Sequence, residues 1–123
     1  MTESVLFKTP PQLPDAHNKR VAWGRLLGAA NAFAIADLAR RENRLILCLG
    51  RDPRHADQLE AEIGFFAGDD FPVLHFVDWE TLPYDNFSPH QDIVSQRLET
   101  LARLPSLWVR AWQRVMVHAD RAA

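Results

Sequence analysis

Lysine is scarce in this 123-residue chain, which has only Lys8 and Lys19. None of its five glycines opens a Gly-Lys-Ser/Thr motif. Gly24 precedes Arg25, Gly28 precedes Ala29, Gly50 precedes Arg51, Gly64 precedes Phe65 and Gly68 precedes Asp69. A phosphate loop needs that motif because its backbone amides surround the phosphates while Lys and Ser/Thr supply charge and a magnesium ligand. The chain is therefore expected not to hydrolyse ATP. Cys48 is the single cysteine, which excludes a disulfide framework and a cysteine metal cluster and fits a reducing cytoplasm. His17, His55, His75 and His118 lack HxxxH or HExxH spacing, and no serine nucleophile elbow occurs. No apolar run approaches the ~20 residues that span a bilayer, and no charged-then-apolar leader opens the chain. The expectation is a cytoplasmic protein with no cofactor, no metal and no catalytic residues. A net charge of −2 gives no general field for nucleic acid or membrane.

What is present is ordinary globular composition, 47% hydrophobic and 24% charged, in a length that suits one domain. Residues 1–18, with Pro10, Pro11 and Pro14, read as an extended lead-in. From about Ala29 to Asn43 the chain is rich in helix formers, and Ala32, Ile35, Ala36 and Ala39 share one face. Arg40, Arg41 and Arg44 complement that helix's C-terminal dipole. Leu45–Leu49 is a continuous apolar run closed by Gly50, the pattern of a strand buried on both faces of a parallel sheet. Asp52-Pro53 is an N-cap and first-turn pair for a second helix with its stripe at Ala56, Leu59, Ile63 and Phe66. Phe71 to Val77 reads as a second strand, with Pro72 tolerable only near its start. Ser88-Pro89-His90-Gln91 reads as a capping box opening a third helix, whose stripe is Val94, Leu98 and Leu101. Helix, strand, helix, strand, helix in this order predicts an α/β fold with a parallel-sheet layer.

Between the second strand and the third helix, Trp79, Tyr84 and Phe87 cluster with Pro83 and Pro89, and His90 closes the loop. Such aromatics either pack the strand-to-helix corner or anchor a docking surface toward another domain. Asp78 and Glu80 follow an apolar strand as a magnesium-binding pair does in nucleotidases. Without a phosphate loop they read as solvated residues leaving a strand. Asp85, His90 and Asp92 invite an acid/base reading, but turn formation and the favourable charge of a helix's first turn account for them.

The run from Trp79 to Pro105, WETLPYDNFSPHQDIVSQRLETLARLP, resembles a block near the start of bacterial transcription-repair coupling factors, with weaker colinear similarity back to roughly Arg20. Within the latter, Gly28-Ala29-Ala30-Asn31-Ala32-Phe33-Ala34-Ile35-Ala36 is similar to the G-T-G-K-T-F-T-I-A phosphate loop of the excision-repair protein UvrB. Asn31 and Ala32 stand where the catalytic Lys and Thr would be, so the resemblance implies a degenerate P-loop helicase lobe, incomplete and non-catalytic by itself. It implies three segments: 1–18 as lead-in, 19–105 as the UvrB-like lobe and 106–123 as a divergent tail. The family's members are multidomain DNA translocases that displace stalled RNA polymerase and recruit UvrA in nucleotide excision repair. The implied partners are the other domains of such a factor and, through it, UvrA and RNA polymerase, with no direct nucleic-acid contact. A strand of the type VLIVPV is expected soon after Pro105. Instead Trp108, Trp112, Val115 and Ala119 fall at the spacing of one helix face, and a shifted frame or early stop is the favoured explanation. The alternative reading is a stand-alone α/β adaptor that uses the Trp79–His90 loop. An enzyme acting through Asp85, His90 and Asp92 is a third.

Overall fold

The computed structural model describes residues 12–42, 45–79, 81, 84–109 and 114–119. Three helices, α1 (Ala30–Arg41), α2 (Pro53–Ala67) and α3 (Gln91–Val109), alternate with three strands, β1 (Leu45–Gly50), β2 (Val73–Phe76) and β3 (Arg114–Ala119). The strands form one parallel sheet in the order β1-β3-β2. The α/β parallel-sheet layer anticipated from the sequence is present.

The third strand lies where the sequence analysis placed a helix face. Val115 pairs with Ile46 of β1 and Val73 of β2, and Met116 pairs with Leu47 and Leu74. Trp108 belongs to α3, Val115 and Ala119 to β3, and Trp112 lies outside the described residues, so no such face forms. Arg-Val-Met-Val-His-Ala is a short apolar run, and periodicity alone does not tell a buried strand from a helix segment there. Helix α3 also runs through Pro105, which has no amide hydrogen to return to the preceding turn.

The core lies between the sheet and the pair α1, α2. Ala32, Ala36 and Ala39 of α1 meet Ala56, Leu59, Ile63 and Ala67 of α2, with Phe71 and Cys48 closing the cluster. Alanines on α1 let the two helices approach closely, while Ile63 is the large side chain buried without remaining exposure. The Phe33 and Phe66 rings meet edge-to-face at 5.3 Å. Arg40 extends from the last turn of α1 to the Asp70 carboxylate at 2.7 Å and to the Phe66 carbonyl, fixing the chain leaving α2. Helix α2 starts as its sequence dictates. The Asp52 carboxylate accepts from the His55 amide at 2.8 Å, Pro53 follows, and Gly68 ends the helix at φ +53°.

Two expectations change. Strand β1 is not buried on both faces. Ile46, Cys48 and Gly50 turn toward the core, while Leu47 and Leu49 are 53% and 59% exposed. Among the described residues, α1 and α2 cover one face of the sheet and α3 packs against its β2 side. Nor is the stripe of α3 Val94-Leu98-Leu101, since Leu98 and Leu101 are exposed and Thr100 is buried. The reason is polar. His75 and Val77, two residues apart, turn their carbonyls toward α3. The Thr100 hydroxyl lies 3.1 Å from the His75 oxygen and also 3.1 Å from that of Gln96, donating to one at a time, and Arg97 donates to Val77. Helix α3 thereby covers a strand edge that would otherwise present unpaired backbone groups.

Candidate functional site

The Trp79–His90 segment leaves the sheet beside α3. Arg97 organises its first half: the guanidinium carbon sits 3.9 Å from the Phe76 ring centroid and 4.4 Å from that of Trp79. Burial pulls its pKa below the usual arginine value, against the opposing effect of the Asp78 charge. Cation–π stacking on two rings offsets part of that desolvation. The Trp79 amide donates to the Asp78 carboxylate at 2.7 Å. Trp79, though 42% exposed, is thus held at the corner by Arg97, whereas Tyr84 and Phe87 are 96% and 82% exposed. The aromatic trio splits by degree, one ring partly packed and two facing solvent. Glu80, Leu82 and Pro83 lie outside the described residues.

The capping box does not form. Helix α3 starts at Gln91, which makes His90 the capping residue, and Ser88 and Pro89 precede it. The His90 carbonyl accepts from Ile93 and Val94, and its Nδ1, when unprotonated, accepts from the Asp92 amide at 3.3 Å. When protonated, the same nitrogen faces the Asp92 carboxylate at 3.3 Å. A His–Asp pair results at the surface of the first turn of α3, and Asp85 is exposed in the loop that precedes it.

At the start of α1, Gly28 is exposed and takes φ +56°, a left-handed conformation that glycine adopts without penalty. Ala29 caps the helix without a side-chain hydrogen bond. Asn31 is half-buried and Ala32 is wholly buried in the core. No strand precedes this turn among the described residues, whereas a phosphate loop connects a strand to its helix.

A further cluster was missed by the search for sequential metal motifs. Asp57 and Glu60 lie one turn apart on α2, and both face His75 on β2. His75 Nδ1 is 2.7 Å from Glu60 Oε2 and 3.8 Å from Asp57 Oδ1. The i, i+3 carboxylates were a readable signal; their meeting with His75 depends on helix-to-strand packing and was not.

Sequence similarity to known proteins points to one family. The chain is 43% identical over 95 residues to the transcription-repair-coupling factor of Escherichia coli K12, an alignment covering 77% of this chain and 8% of the relative. It is homologous to the transcription-repair coupling factors. The Haemophilus influenzae factor is 38% identical over 94 residues, and that of Myxococcus xanthus 34% over 91 residues. These alignments cover 76% and 70% of this chain, and in each case 8% of the relative. The chain thus spans about a twelfth of the length of these relatives, a figure that follows from the 8% coverage. No family profile matches it. Among the described residues, no helix is long and apolar enough to cross a membrane.

Proposed function

We propose that this chain acts in transcription-coupled DNA repair as a non-catalytic, UvrB-like contact lobe of a coupling factor. Its binding face would be the exposed aromatic pair Tyr84 and Phe87, flanked by His90. The observation that carries the reading is the 43% identity to the E. coli factor over 95 residues, combined with the exposure of those two rings beside the α/β core. In this reading residues 1–18 lead in, residues 19–105 carry the lobe, and the segment beyond Pro105 contributes the central strand. Displacement of RNA polymerase and recruitment of UvrA would belong to the whole factor, with this lobe engaging its other domains. Asn31 and Ala32 support the absence of nucleotide chemistry, since neither side chain supplies phosphate charge or a magnesium ligand. Trp79 is assigned to positioning, because its ring is held by Arg97.

The test uses the full chain and the E. coli factor from which the matching segment has been deleted. Binding measured by interferometry is expected, and Tyr84→Ala with Phe87→Ala should weaken it about tenfold or more, as loss of interface anchors does. Absence of binding, or binding indifferent to the double substitution, refutes the contact face.

A further inference from the structure

We propose that Asp57, Glu60 and His75 form a site for a divalent first-row transition ion, with Zn²⁺ the ion best suited to it. The donor atoms of the three side chains all lie within 4.8 Å of one another. The site is built from two elements that pack on each other and are each held by further contacts. Helix α2 is fixed by the Asp52 cap and by packing of Ala56, Leu59 and Ile63. Strand β2 is fixed by its pairing with β3, and the Thr100 hydroxyl lies within hydrogen-bond reach of the His75 carbonyl. One helical turn separates Asp57 from Glu60, so both carboxylates come to the same imidazole.

The geometry differs from that of a simple ion pair. Glu60 alone satisfies His75 at 2.7 Å, and Asp57, at 3.8 Å, is beyond hydrogen-bond reach yet still directed at the same nitrogen. A tetrahedral zinc with bonds of about 2.0–2.2 Å holds its ligand atoms about 3.3–3.6 Å apart, between those two separations. Small movements of both carboxylates in opposite senses, with the imidazole in place, would seat the ion. Two carboxylates and one imidazole favour zinc, cobalt or manganese over the all-oxygen ions calcium and magnesium and over soft copper(I). Solvent reaches the cluster from the side of α2, where Asp57 and Glu60 border a depression of about 510 Å³ with Gly64 and Phe71. Three protein ligands and an open water position describe the site.

The test is calorimetric titration of the full chain with ZnCl₂, paired with thermal melts in its presence and absence. One ion per chain is expected with a Kd on the order of micromolar. Asp57→Asn and Glu60→Gln should each weaken binding about tenfold or more, and each should lose the zinc-induced rise in Tm. Asp57 is exposed and makes no hydrogen bond to His75, so its amide variant keeps the fold while removing a ligand. Any weakening smaller than tenfold in Asp57→Asn, or the lack of saturable binding to the unmodified chain, overturns the proposal and leaves a His–Glu ion pair.

Discussion

Replacing Gly50 with alanine would set a methyl carbon 3.0 Å from the nitrogen, Cα and Cβ of Ala56. Ordinary carbon–carbon contacts lie at about 3.5–4.0 Å, so β1 and α2 would have to separate by roughly half an ångström. Two of the three atoms are backbone, and no rotamer change relieves them. Helix α2 cannot yield freely, because its first turn is pinned by the Asp52 cap and the Ala56 amide donates to the Asp52 carbonyl at 3.0 Å. Moving it also disturbs Leu59 and Ile63, which fill the core. Overpacking of this kind costs about 1–3 kcal/mol. Against it, alanine restricts the unfolded chain and returns about 0.4–1 kcal/mol. The steric cost wins, leaving a net loss of about 1–2 kcal/mol. Gly64 provides the control. It lies inside α2, and a Cβ there meets no atom within 4 Å. Gly64→Ala should therefore stabilise by about 0.5–1 kcal/mol through helix propensity. Urea denaturation of the two variants and the parent, followed by far-ultraviolet circular dichroism, compares them directly. A Gly50→Ala midpoint equal to or above the parent's would refute the close approach of β1 to α2.

Two further predictions follow from particular contacts. Ser88→Ala should change stability by less than about 0.5 kcal/mol, because helix α3 is capped by His90, whereas Thr100→Val should cost about 0.5–1.5 kcal/mol by leaving the His75 carbonyl of β2 without the buried hydroxyl. Equal denaturation midpoints for the two variants would contradict the placement of α3. Burial pushes the Cys48 thiol up to about 11, so the native chain should resist thiol-modifying reagents at pH 8 and react fully once unfolded. Because the folded pKa is the higher one, this thiol leaves stability unchanged below its unfolded pKa. It then removes stability, on the order of 2–3 kcal/mol, as pH rises from about 9 to about 11. Rapid modification of the native chain at pH 8 would place Cys48 outside the core.

The parts of the fold governed by local rules were legible in the sequence. The alanine face of α1, the Asp52-Pro53 start of α2 and the apolar run of β1 all carry their instructions within a few residues. The missed features depend on distant partners. Thr100 is buried because strand β2 offers it a carbonyl, so a polar residue occupies the position a leucine stripe was expected to hold. Leu47 and Leu49 are exposed because the described helices cover one sheet face, a fact outside the composition of β1. Strand β3 obtains its identity from pairing on both sides, and its apolar residues also fit a helical period. The aromatic loop was visible as a cluster, but only the position of Arg97 separates Trp79 from Tyr84 and Phe87.

The central claim is that this chain serves as the corresponding lobe of a coupling factor, and a chimera tests it most directly. The E. coli factor, with its matching segment replaced by the homologous segment of this chain, would be expressed in cells lacking their own factor. Strand-specific repair of ultraviolet damage would then be measured on a transcribed gene. The account predicts preferential repair of the transcribed strand, reduced substantially when Tyr84 and Phe87 are both alanine. A chimera that accumulates normally yet repairs the two strands at equal rates would contradict it.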